Sequence, residues 1–269
     1  MPLGTENTAL DGVEQPLSAP VWSGRTDANG NAVRNHILAS IPDSEFDALR
    51  PHLERVELPY HQDLLSADSM ENAFFPNRGM LSLIIRTRDG RSVDVGIIGR
   101  EGAVGTTVIV GLRKASYRTV VQISGDGFRI KSDDLVNISR SAPNLECMIN
   151  RYAHVQGMQV AQLAACNRLH EIEQRLARWM LMCHDRIESD LLPMTHEFFA
   201  QMLGAGRPSV TLAAGALQRA GVIKYTRGKV NILDRKGLEQ SACECYEVIR
   251  GFNGAAGLPN NPELMESSH

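Results

Sequence analysis

No stretch of this 269-residue chain approaches the roughly 20 consecutive apolar residues of a membrane-spanning helix. The N-terminus has no basic start followed by an apolar core, so no signal peptide is expected and the chain reads as cytoplasmic. No Cys-x-x-Cys pair occurs. The five cysteines (Cys147, Cys166, Cys183, Cys243, Cys245) are odd in number and scattered, which argues for reduced thiols over a disulfide frame. No metal and no cofactor is assigned. Cys243 and Cys245 stand two apart on an expected helix and so point in different directions. Cys166 and Cys183 read as small buried hydrophobes, and His36, His52, His61 and His154 are isolated. Between Val56 and Ile130 there is no His-x-His pair, which tells against a metal enzyme built on that region. No internal repeat is visible. The net charge of −3 does not by itself suggest nucleic acid.

What is present is concentrated between Thr195 and Leu233. A helix starts at Thr195, whose hydroxyl can cap a free backbone N–H, with Glu197 near its positive end and Phe198, Phe199, Met202 and Leu203 along one face. Gly204 ends it, because the reversal wants a residue tolerant of positive φ. Pro208 falls in the first turn of a second helix, where proline costs least. Val210, Ala213, Ala214 and Leu217 recur on its buried face, and Gly221 stops it. Val222–Tyr225 and Val230–Leu233 flank Thr226-Arg227-Gly228-Lys229 as a hairpin. Ala200, Gly204, Val210 and Ala213 have the spacing of a helix-turn-helix, whose second helix keeps one face free for a DNA major groove. That free face carries Arg207, Ser209 and Thr211. Between Thr195 and Lys236 seven cations stand against two anions, a basic island in an acidic chain and an electrostatic footprint for phosphate. A plain helical hairpin used for packing is the alternative.

The rest of the chain is read around this unit. Residues 1–35 are rich in Gly, Asn, Thr, Ser and Pro without a period and are expected to be a disordered tail. A helix is expected over Asp43–Leu53. From Val56 to Ile130 about eight short β segments, one of them Val104–Val110, suggest a closed or rolled barrel, with Asp89-Gly90 as a hairpin signal. Ser132 opens a helical segment, and a long helix is expected from Pro143 to about Arg168. Its stripe of Leu145, Met148, Ile149, Tyr152, Val155, Val160 and Leu163 is expected to pair with a second copy of the chain; packing on its own barrel alone is the alternative. Leu169–Ile187 is a further helix and Lys236–Arg250 a closing one, after which the chain is loose.

The order β-roll, long helix, winged helix-turn-helix resembles the Crp/Fnr family of bacterial transcription regulators. The likeness is best in EIEQRLARWMLMCHDRI and MTHEFFAQMLGAGRPSVTLAAGALQRAGVI. It implies an α+β chain with a disordered tail (1–35), a jelly-roll sensor like the cyclic-nucleotide-binding domain (36–142), a dimerisation helix (143–168), a winged helix-turn-helix (169–251) and a loose tail (252–269). It further implies a homodimer on a two-fold symmetric double-stranded operator, with RNA polymerase as a protein partner and no membrane. Arg207 takes the position of the family's base-reading arginine, whose fork can bond O6 and N7 of guanine. Ser209 and Thr211 would contact phosphate or a base, Thr195 and Gln201 phosphate near the helix start, and Arg227 and Lys229 the adjacent backbone from the wing.

Two departures follow. The carboxylate that many relatives carry after the arginine, and their second arginine one turn on, are replaced here by Pro208 and Leu212, so the usual operator cannot be carried over. The cyclic-nucleotide pocket is degenerate: Gly105-Thr106 and Ser116-Tyr117 stand where a Gly-Glu and an Arg-Ser pair would hold ribose and phosphate, and Arg113 and Arg118 lie out of register. No tight cAMP binding is expected, and the effector is unassigned. The first cysteine is Cys147, so the N-terminal iron–sulfur cluster of some relatives cannot be built in the usual way. The competing readings are a β-barrel ligand-binding or scaffold protein whose winged helix contacts protein and, last, a cupin-like metal enzyme.

Overall fold

A computed structural model describes residues 24–65, 70–90, 92–187 and 189–255. Residues 24–35, expected to be loose, pack onto the body of the protein. Asp27 accepts from the backbone N–H groups of Asn29 and Asn31, Val33 is buried, and buried Asn35 ties three segments together. Its side chain caps α1 (His36–Ser40) by accepting from Leu38, while its Nδ2 donates to the carbonyls of Pro76 and Gly102. The remainder of the expected tail, residues 1–23, lies outside the described residues, as does 256–269 at the other end. The helix expected over Asp43–Leu53 is shorter: α2 spans Asp43–Leu49 and tightens into a 3-10 turn at Arg50–His52. Pro51 has no N–H with which to continue an α-helix.

Among the described residues, seven strands make the roll: β1 (Glu54–Leu58), β2 (Asp63–Leu65), β3 (Asn72–Pro76), β4 (Met80–Arg86), β5 (Ser92–Ile98), β6 (Arg118–Ile123) and β7 (Gly125–Lys131). They form two antiparallel sheets, in the orders β1-β7-β3 and β2-β6-β4-β5. Gly90 sits at φ 87° in the loop joining β4 to β5, where the Asp-Gly signal placed a turn. The expected strand at 104–110 is not one. Val104 alone makes a bridge, to Phe74, and Thr106–Val110 is a 3-10 turn. Its β-branched composition imitates a strand, but Gly105 and Gly111, at φ 76° and 83°, turn the chain at both ends. At Gly105 a Cβ would lie 2.5 Å from the Asn72 carbonyl oxygen, so only glycine fits there.

α3 (Ser132–Ser139) leads to α4 (Pro143–Leu169). The Glu45 carboxylate accepts from the backbone N–H groups of Asn144 (3.1 Å) and Leu145 (2.8 Å), an anion at the positive end of a 27-residue helix. Burial alone would raise this carboxyl; the bonds from Asn144 and Leu145 outweigh it and hold it below the usual range. The apolar stripe expected to meet a second copy divides. Leu145, Met148, Ile149, Tyr152 and Val155 belong to the chain's own β-roll core. Val160 is 38% exposed, and the outward face of α4 from Ala153 onward carries Ala153, Gly157, Ala161 and Ala164.

The C-terminal module comprises α5 (Ile172–His184), β8 (Leu191–Leu192), α6 (His196–Leu203), α7 (Arg207–Arg219), β9 (Ile223–Thr226), β10 (Lys229–Ile232), α8 (Arg235–Ser241) and α9 (Cys245–Ala255). β8 joins the hairpin as a third strand, in the order β8-β10-β9. The expected single closing helix is two, because Ala242 is extended (φ −81°, ψ 158°) and ends α8. A second core fills this module, and Met80 and Ile97 of the β-roll belong to it.

Candidate nucleic-acid interface

α6 begins where its cap says it should: Thr195 Oγ1 accepts from Phe198 N at 3.1 Å. It ends on Gly204 in the left-handed conformation (φ 57°). Ala205 N donates back to the Ala200 carbonyl, closing the turn. α7 then rests on buried Val210, Ala213, Ala214 and Leu217. Its other side is open: Arg207, Pro208, Ser209, Thr211 and Leu212 are all exposed, Leu212 by 74%. Among the described residues no carboxylate pairs with Arg207. Thr211 is less free, since its Oγ1 lies 3.0 Å from the Arg207 carbonyl and 3.2 Å from His196 Nδ1. Exposed Thr195 uses its oxygen as an acceptor and keeps its O–H to donate.

The wing is a two-residue hairpin, with Thr226 opposite Lys229 and Gly228 at φ 73°. Arg227 and Lys229 are exposed at its tip. One supporting pair lay outside the sequence reading. His196 stacks on Tyr225 with ring centroids 4.0 Å apart, and its backbone N–H donates to Tyr225 Oη. Burial, then the Arg207 charge, lowers the His196 pKa, which keeps that ring neutral beside the arginine.

Gln201 is placed differently from its expected role. It is the sixth residue of α6 and its Nε2 donates to Ser92 Oγ on β5 at 2.8 Å. It binds the module to the β-roll, and a phosphate contact would require that bond to break. A buried ion pair reinforces the same junction: Arg186 Nε meets Glu101 Oε1 at 2.7 Å. Burial by itself would raise the Glu101 carboxyl, but Arg186 and the Gly99 N–H hold it below the usual range. A cavity of about 180 Å³ lies between β5, α4 and α5, lined by Val93, Asp94, Val160, Trp179 and Met202 among others.

The degenerate pocket residues are split. Gly105 and Thr106 are buried at the start of the 3-10 turn, Ser116 is exposed and Tyr117 half-buried. The two nearby arginines are engaged elsewhere, Arg113 with Asp133 (2.6 Å) and Arg118 with Asp63 (2.5 Å).

Comparison with known proteins accords with this geometry. Residues 174–241 match the model of the Crp-like helix-turn-helix domain. That match places a Crp-like helix-turn-helix domain over α5 to α8 of this chain. The chain is 36% identical over 61 residues to the transcriptional regulator SdrP of Thermus thermophilus, a match covering 23% of this chain and 30% of that relative's length. Solved structures extend the likeness to the fold. FixK2 from Bradyrhizobium japonicum superposes with TM-score 0.62 at 13% identity, over 71% of this chain and 98% of that one. The c-di-GMP responsive regulator CLP of Xanthomonas campestris gives 0.60 at 16%, over 71% and 99%. The β-roll, long helix and helix-turn-helix of this chain thus share the fold of these solved structures.

One group of side chains corrects the sequence reading. Cys166, His170, Cys243 and Cys245 gather with their ligand atoms within 4.8 Å of one another. Cys243 and Cys245 do not share one helix. They lie at the break between α8 and α9, which turns both toward α4. The missed signal was Cys-x-x-x-His at the end of one helix followed by Cys-x-Cys.

Proposed function

We propose that this protein is a sequence-specific DNA-binding transcription regulator that acts as a homodimer and does not depend on cAMP. The observation that carries the reading is the outward face of α7. An unpaired arginine stands at its first turn, the helix is held from behind by four buried apolar side chains, and the surrounding surface is basic. In this reading residues 36–142 sense, 143–168 dimerise and 169–251 read DNA, in a cytoplasmic setting. Arg207 reads a guanine edge and Leu212 reaches a thymine methyl. Ser209, Thr211 and Thr195 contact phosphate or base, and Arg227 and Lys229 hold the flanking backbone. RNA polymerase is the protein partner through which binding would alter transcription.

Selection of duplexes from a random pool, followed by mobility shift, tests the DNA reading. The expected result is a two-fold symmetric consensus whose binding weakens steeply with salt. No enrichment and no shift at low ionic strength would end it. For the pocket, the arginines that could neutralise a cyclic phosphate are paired with Asp133 and Asp63 instead. Isothermal titration with cAMP should show no micromolar binding; such binding would refute the effector assignment.

A further inference from the structure

The cysteine–histidine group at the junction of α4 with α8 and α9 lies away from the face of α7. Cys166, Cys243 and Cys245 are buried and His170 is half-buried. Cys166 Sγ and Cys243 Sγ are 3.4 Å apart, and Cys245 Sγ is 3.6 Å from His170 Nδ1. Donors around a tetrahedral zinc ion, with Zn–S bonds of about 2.3 Å, stand about 3.3–3.8 Å from one another. A disulfide needs its sulfurs at about 2.05 Å, and it would leave the third cysteine and the histidine unused. An iron–sulfur cluster would spread its cysteines further, since bridged irons must fit between them.

The surroundings match as well. His170 Nε2 lies 3.0 Å from Glu244 Oε1, so a carboxylate fixes the ring and turns Nδ1 toward the thiols. Gln162 Nε2 donates to Cys245 Sγ at 3.0 Å. Three thiolates and one dication carry a net charge of −1, and cations stand beside them. Arg175 and Arg178 of α5 both act electrostatically on Cys166. Arg178 is 2% exposed, and among the described residues no carboxylate lies within 4.0 Å of its guanidinium. A buried cation is expensive unless opposite charge stands near it; Asp94 acts on Arg178 from the β-roll side, and a metal–thiolate centre of net negative charge supplies a second such group.

We propose that Cys166, His170, Cys243 and Cys245 form a tetrahedral Cys3His site for a borderline-soft divalent cation, Zn2+, fastening the end of α4 to the break between α8 and α9. Cys166 stands in the last turn of α4 and His170 is the extended residue that caps it, its Nδ1 3.6 Å from Cys245 Sγ. Cys243 and Cys245 come from the far end of the reading module. The ion bridges the long helix and the module that carries α7, and so fixes the angle between them. Binding replaces the thiol protons, which pass to solvent, and no electron is transferred.

The test is metal analysis of the full chain, produced without a polyhistidine tag and purified under reductant. About one zinc per chain is expected. Cys243→Ser and Cys245→Ser should lose it, while Cys147→Ser, whose exposed thiol lies outside the group, should keep it. Cobalt in place of zinc should show thiolate-to-metal charge transfer and the visible bands of a tetrahedral ion. Should the serine variants fold poorly, Glu244→Gln, altered only at an exposed carboxylate, should bind zinc about 10-fold or more weakly in chelator competition. Reduced wild-type protein that holds no zinc and takes up none on titration would overturn the proposal. So would a Cys166–Cys243 disulfide that binds no zinc after reduction, or iron with acid-labile sulfide in its place.

Discussion

Arg207 and the wing cations are all exposed and all positive, yet they stand in different chemistry. In the proposed reading, a guanidinium at the first turn of α7 offers a planar fork to base edges, whereas Arg227 and Lys229 at a hairpin tip offer charge to phosphate. The consequence is separable by measurement. Arg207→Ala should weaken the selected operator by about 1–3 kcal/mol, a loss of roughly 5–150-fold, and relax the choice at one base pair. Lys229→Ala should weaken all duplexes alike and reduce the slope of log affinity against log salt by about 1. Binding isotherms on operator and scrambled duplexes at several salt concentrations check both. Equal losses on the two duplexes with Arg207→Ala would remove that residue from base reading.

At the scale of elements, the two helices depend on a small contact. Ala200 is 7% exposed where α6 meets α7, and its carbonyl receives Ala205 N across the turn. Ala200→Leu should cost about 1–3 kcal/mol by overpacking; thermal unfolding checks it, and an unchanged midpoint would show that the helices are not held there. From Ala153 onward, α4 presents Ala153, Gly157, Ala161 and Ala164 outward. If that face joins two copies, Ala161→Glu should yield monomers in analytical ultracentrifugation while the thermal midpoint of each chain holds.

Legibility also differed by element. The caps and turns of the reading unit are local chemistry, so Thr195, Gly204 and Gly228 were readable directly. Thr106–Val110 was misread because its β-branched residues imitate a strand and the flanking glycines decide otherwise. The stripe on α4 was visible as a period, but a period does not say which surface it meets. Nor does spacing alone bring Cys166 to Cys243 across 77 residues; that meeting belongs to tertiary packing.

The described residues form one packed body through the contact of β5 with α6, where Gln201 meets Ser92, and through the ion pair of Glu101, just after β5, with Arg186, just after α5. Asp94 sits in this seam. Burial pushes its carboxyl up to about 7, against the lowering effects of Ser82, the Gly96 N–H and Arg178. A carboxyl raised in the folded state contributes stability that is complete below its ordinary range near 3.8 and is lost as pH rises through about 7. Wild-type protein should therefore unfold more easily at about pH 8 than at about pH 5, and Asp94→Asn should flatten that difference. Chemical denaturation at the two pH values decides it; identical slopes in both proteins would show that Asp94 does not govern the seam.

Met80 and Ile97, strand residues by position, contribute to the second hydrophobic cluster. A DNA-reading module severed at His170 would leave an oily socket where they had been. Such a piece would stick to its neighbours in solution before it ever met a duplex. Loss of the upstream half, whether by a protease or by a shortened gene, is therefore expected to leave an aggregating fragment and not an unrestrained regulator.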